Sequence, residues 1–106
     1  MTGPKLDQAP GTLERAVMAL RGMAYEHRLH ILVLLLNAEQ TPASLSDVIP
    51  AEPTAIAHHL RFLRDAGLIR RRRNGRQVFY TLRDEATHSL VAEVLRYANR
   101  AATQRR

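Results

Sequence analysis

The chain has 106 residues, a formal net charge of +6 and no cysteine. Its length fits one domain, small enough that burial against a partner helps its core, while the missing cysteine excludes disulfides, thiolate metal sites and thiol redox sensing. The positive charge favours a polyanionic partner, nucleic acid or an acidic membrane face; the start lacks a signal-peptide core and the longest apolar run, 31–36, is too short to span a bilayer, so a cytoplasmic protein is expected.

Residues 1–10 carry Gly3, Pro4 and Pro10 and are expected to form a flexible tail. Over 11–21, Leu13, Val17 and Leu20 recur at helical spacing behind a Thr12 N-cap, with a break at Gly22. A second helix over 25–37 is apolar nearly all round, with Leu29, Leu32, Val33 and Leu36 on one side and Ile31, Leu34 and Leu35 widening the stripe, as a central buried helix requires. Thr41-Pro42 gives an N-cap followed by proline at the first helical position, opening a short helix to about Ile49 that Pro50 ends.

Pro53 starts the next helix, which runs to Ala66 with Gly67 as its stop. Ile56, Leu60 and Leu63 face the core there, which turns Thr54, Ala55, His58, Arg61 and Asp65 outward. Two short helices joined by a tight turn, the second presenting small polar and basic side chains, form a helix-turn-helix. Extended runs over 68–72 and 77–82 flank Arg73-Asn74-Gly75-Arg76, and Asn-Gly between such runs signals a hairpin, the wing. Asp84 caps a last helix to about Ala102, striped by Leu90, Val91, Val94, Leu95 and Ala98, before a frayed tail over 103–106. The expected fold is mainly α with a small β-hairpin, a winged helix-turn-helix of order ααααββα in one domain over 11–102.

The run Ala57-His58-His59-Leu60-Arg61-Phe62-Leu63-Arg64-Asp65-Ala66-Gly67-Leu68-Ile69, with Gly75-Arg76 and Tyr80-Thr81-Leu82 in the wing, resembles the ArsR/SmtB family of small bacterial metal- and stress-responsive regulators. Its pattern is Ser-x-His-Leu-x-x-Leu-x-x-Ala-Gly-Leu-Val. The preceding helix agrees with the family at Arg28, Leu29, Ile31 and Leu32 and departs at Tyr25 and His27. The resemblance covers roughly residues 13–98. It implies a homodimer built from the first and last helices, with Leu13, Val17, Leu20, Leu90, Val91, Val94 and Leu95 at the interface, binding an imperfect palindrome in double-stranded DNA and often releasing it when an effector binds.

Between Arg61 and Arg76 stand arginines 61, 64, 70, 71, 72, 73 and 76 against one acid, Asp65, a density suited to phosphate backbones. Thr54, Ala55, His58 and Arg61 are expected to face the major groove, where Thr54 and Arg61 donate hydrogen bonds and Ala55 meets a thymine methyl. Ala57 stands where the family commonly has serine, and His59 is expected to pack and hydrogen-bond locally. Arg73, Asn74, Gly75 and Arg76 form the wing tip, suited to the minor groove or its phosphates. Arg70, Arg71 and Arg72 rank lower, because alternation along a strand turns one side of it toward the body.

Family sensors place metal ligands in an Asp-x-His pair near the start of the last helix and a second pair near its end; here these fall on Asp84-Glu85-Ala86 and on Tyr97 and Arg100, so that site is not expected. What remains is Glu26, His27 and His30, nitrogen and oxygen ligands suited to Ni(II) or Zn(II), with further ligands from the N-terminal segment, a partner subunit or His88. A solvated polar edge explains the same residues. No nucleophile motif or phosphate-cradling glycine loop is present, so an enzyme is not expected. A winged helix used for protein interaction, a regulator without any effector, and a protein co-regulator all remain open.

Overall fold

A computed structural model describes residues 9–104, with side chains as far as residue 100. Helix α1, Thr12–Met23, is capped by Gly11 at φ 79° rather than by Thr12. Thr12 is already helical, and its hydroxyl donates to the Ala9 carbonyl instead, at 2.5 Å. Nor does α1 stop at Gly22. That glycine is buried inside the helix, and a Cβ there would lie 2.4 Å from Leu68 Cδ1, so its missing side chain permits a close approach to the start of the wing. The chain bends only at Ala24 and Tyr25.

Helix α2, Glu26–Leu35, buries Ile31, Leu32 and Leu35, while Leu29, Val33, Leu34 and Leu36 pack around the same core. Helix α3, Pro42–Val48, begins as its sequence predicts. Thr41 Oγ1 accepts from the Ser44 amide at 3.0 Å, and Ser44 Oγ accepts in return from the Thr41 amide at 2.9 Å, a capping box with serine in the usual glutamate position.

Helix α4, Pro53–Asp65, ends at Ala66, and Gly67 follows in the left-handed region at φ 77°. The Leu68 amide bonds to the Leu63 carbonyl at 3.0 Å and the Gly67 amide to Arg64 at 2.9 Å, the paired bonds of a Schellman motif. Leu63 and Leu68 are both buried, which supplies its hydrophobic contact and delivers the chain into the wing.

Strands β1, Ile69–Asn74, and β2, Gln77–Leu82, pair antiparallel with Asn74 opposite Gln77. The turn is therefore Gly75-Arg76, one residue later than an Asn-Gly centre. With φ 65° at Gly75 and no positive φ at Arg76, it is a type II′ turn, which takes glycine first. Gln40 adds a one-residue bridge to Tyr80, amide to carbonyl in both directions at 3.1 and 2.8 Å, tying the α2–α3 loop to the wing.

Helix α5, Glu85–Gln104, is capped by Asp84, whose Oδ1 accepts from the Thr87 amide at 2.9 Å and from the Thr87 hydroxyl at 2.7 Å. The helix runs through residues 103–104, expected to fray; residues 105–106 and 1–8 of the expected tails lie outside the described residues. Ile31, Leu32, Leu45, Ile49, Ile56, Leu63 and Val91 are fully buried, so the core sits where α2, α3, α4 and α5 meet above the wing. No helix among the described residues is long and apolar enough to cross a membrane.

Candidate nucleic-acid interface

Burial of Ile56, Leu60 and Leu63 fixes the rotation of α4. Thr54, His58 and Arg61 consequently stand exposed along one face, with Ala55 half-buried beside them. The adjoining stripe, Ala57, Leu60, Arg61 and Arg64, lines a cleft of about 390 Å³ whose other walls are Pro42, Asp65, Arg71 and Tyr80. The consecutive elements α4 and β1 thus share one basic depression, closed by Pro42 and Tyr80.

Pairing in the wing sorts its arginines. Arg71 opposes Tyr80 and Arg73 opposes Val78, the side of the ribbon that carries buried Tyr80 and half-buried Val78. Arg70 and Arg72 are on the other side. The Arg72 guanidinium reaches both carboxylate oxygens of Glu39, at 2.9 and 3.0 Å, and lies 4.7 Å over the Phe79 ring. Asp84 is held below the ordinary carboxylate range, first by its two hydrogen bonds from Thr87 and then by the charges of Arg83 and Arg70. At the tip, Arg73, Asn74, Gly75 and Arg76 are all exposed. Asn74 belongs to the ladder and Arg76 to the turn.

His59 lies on the flank of α4 away from the cleft. Its ring centroid is 5.4 Å from Tyr25 and 6.0 Å from His27, so it packs against the start of α2. Burial first, then the charges of Arg28, His27 and His58, lower its pKa from the ordinary 6.5. Arg28 ties the same region together: it donates to the Gly22 and Arg21 carbonyls at 3.1 and 2.7 Å, and its guanidinium stacks over Phe62 at 4.1 Å and Tyr25 at 5.0 Å. One side chain thereby links the end of α1 to α4.

Glu26, His27 and His30, expected together as metal ligands, do not form such a group. Among the described residues no three His, Asp or Glu side chains are disposed to hold a metal ion. His27 is turned edge-on to His59 instead, and His88 meets the Leu36 carbonyl at 3.2 Å, joining α5 to the end of α2.

Away from the cleft lining, α1 exposes Leu13 (56%), Val17 and Leu20 (61%), and α5 exposes Leu90 and Tyr97 (69%). Val94 and Leu95 are half-buried. Val91, expected at the interface, is instead 0% exposed within its own chain and is withdrawn from that set. Tyr97 stands outside the expected interface set; the i, i+7 spacing from Leu90, which puts it on the same face of α5, is the signal that finds it. Arg64 and Arg71 belong to the expected arginine run but not to the expected contact set; the rotation of α4 brings Arg64 to the cleft and the pairing register brings Arg71.

The family profile described as "Bacterial regulatory protein, arsR family" matches residues 26–71. The transcriptional activator HlyU of Vibrio cholerae is 35% identical over 95 residues, covering 83% of this chain and 88% of that protein. A solved HlyU structure from Vibrio cholerae superposes with a TM-score of 0.77 at 32% identity, over 84% of this chain and 97% of that one. A homodimeric winged helix-turn-helix DNA-binding domain from Mycobacterium bovis superposes at 0.79 with 26% identity, over 93% and 91% of the two chains.

Proposed function

The chain belongs to the bacterial ArsR family of transcriptional regulators, and from that premise we propose that it works as a homodimer reading an imperfectly palindromic site in duplex DNA. The family is one of regulators, not enzymes. The observation that carries the reading is the exposed Thr54, His58 and Arg61 face of α4 standing beside an arginine-bearing hairpin. In this reading Thr54, Ala55, His58 and Arg61 enter the major groove, and the wing tip, with Arg73, Asn74 and Arg76, reaches the flanking minor groove. Leu13, Val17, Leu20, Leu90, Val94 and Leu95 join two protomers so that two α4 helices meet successive half-sites. Selection of bound genomic fragments tests it: a motif of two inverted half-sites is expected, and recovery of fragments with no shared motif would overturn sequence-specific reading.

A response to Ni(II) or Zn(II) through Glu26, His27 and His30 is the finer reading, and it needs further ligands, from the N-terminal segment, a partner subunit or His88, to complete the set. Calorimetric titration decides it. Saturable binding that His30→Ala removes supports the site, and equal binding by the variant rejects it.

A further inference from the structure

We propose that the cleft between α4 and the wing is the channel for one phosphate backbone of the duplex, gripped by Arg64 and Arg71, with Arg61 between it and the major groove. The inference rests on the reading of the chain as a DNA-binding regulator and assigns to that function two arginines, Arg64 and Arg71, that neither the helix face nor the wing tip includes. Three observations carry it. The first is position. The cleft opens beside the exposed Thr54–Arg61 face, and a helix laid in the major groove has a phosphate backbone along each flank. A strand passing between that helix and the hairpin runs along this depression.

The second is pairing. The ion pairs among the described residues engage Arg72 with Glu39, Arg83 with Asp84 and Arg96 with Glu93. None involves Arg61, Arg64 or Arg71. Arg72, next along the strand, is thus neutralised locally, whereas the three arginines lining the cleft face one another with only Asp65 among them. Like charges held close repel, and a polyanion lying between them removes that cost. The planar guanidinium also suits two-point contact with phosphate oxygens.

The third is the strand. Alternation puts Arg71 on the body-facing side of β1, which at Ile69 is core but at Arg71, opposite Tyr80, has reached the cleft. Ala57 leaves room above buried Leu60 for the backbone to approach.

Fluorescence anisotropy of a labelled duplex of mixed sequence, titrated with salt, tests the channel with the full chain. Each phosphate-binding charge contributes about 0.9 to the slope of log K against log salt, so a substitution that removes one from each protomer of the homodimer is expected to reduce it by about 1.8. R64Q and R71Q should each show that reduction, R71K should retain the slope because the charge remains, and R15Q, on α1, should leave it unchanged. A slope in R64Q and R71Q equal to that of the unsubstituted chain overturns the channel while the regulator reading stands. An equal reduction in R71K and R71Q makes Arg71 structural and also overturns it. If the unsubstituted chain shows no salt-dependent binding, the DNA-binding reading itself falls, and the channel with it.

Discussion

His59 is a titratable side chain on α4 that is half-buried against Tyr25 and His27, and its surroundings oppose its protonation: partial burial first, then the charges of Arg28, His27 and His58. Its folded pKa therefore lies below the unfolded value. Between those two values the unfolded chain binds a proton that the native chain does not, so stability rises with pH across the window and is lost as pH falls through 6.5 and below. Thermal melts between roughly pH 8 and pH 5 should show the midpoint falling on the acid side, and His59→Gln should flatten that fall. An unchanged slope in the variant would assign the pH dependence elsewhere. The local packing of His59 was legible in the sequence, but its partner was not. Tyr25 and His27 are where this chain departs from its family, and only the approach of α2 to α4 shows that these departures meet His59. Gly22 teaches the same limit. A helix-ending glycine and a glycine admitting a neighbour look identical in one sequence, and what separates them here is Leu68, distant along the chain.

Element boundaries were legible where a local signal is complete and slipped where the signal has two registers. Thr41-Pro42 marks the start of α3 unambiguously, because the cap and the missing proline amide act within one turn. Thr41→Ala removes the acceptor for the Ser44 amide, and should cost about 1 kcal/mol. For a domain of this size that lowers the melting midpoint by roughly 4–8 °C at fixed protein concentration. A midpoint within about a degree of the parent would mean that the Gln40–Tyr80 bridge, not the cap, holds the start of α3. The hairpin behaved differently. Asn74-Gly75 fits a type I′ turn and Gly75-Arg76 a type II′ turn, and both satisfy the glycine; the ladder that places Asn74 opposite Gln77 selects the second. The one-residue difference makes Arg76 a turn residue and Asn74 a strand residue. On α5, periodicity found the apolar stripe but not its division. Val91 turns into the protomer's own core, while Leu90 and Tyr97 turn outward.

The protomer as a whole is a slab, 52 × 42 × 21 Å, with a radius of gyration of 15.4 Å. A compact chain of about 100 residues has a radius near 13 Å. The protomer's apolar side chains are correspondingly uncovered in places: Leu13 and Leu20 on α1 and Tyr97 on α5 each expose more than half their surface. Full burial of such a side chain is worth about 1.5–3 kcal/mol, so a second protomer covering this face would gain substantially from a handful of residues. Function gives the same face a second consequence. In the proposed dimer, two α4 helices held at a set spacing would convert the second half-site contact into an intramolecular one, which would raise affinity by about 10²–10⁴ without any new contact to DNA. Leu20→Glu separates these effects, because Leu20 is 61% exposed in the protomer and a charge there leaves its own core intact. The variant should keep its helical circular dichroism, sediment as a monomer, and bind a duplex with two half-sites at least about 100-fold more weakly than the parent. Its affinity for a single half-site should be unchanged, since neither the α4 face nor the arginine-lined cleft includes Leu20. A variant that sediments as the parent does would place the contact between protomers away from α1. Monomeric Leu20→Glu with undiminished affinity for the paired site would instead mean that each protomer reads DNA alone.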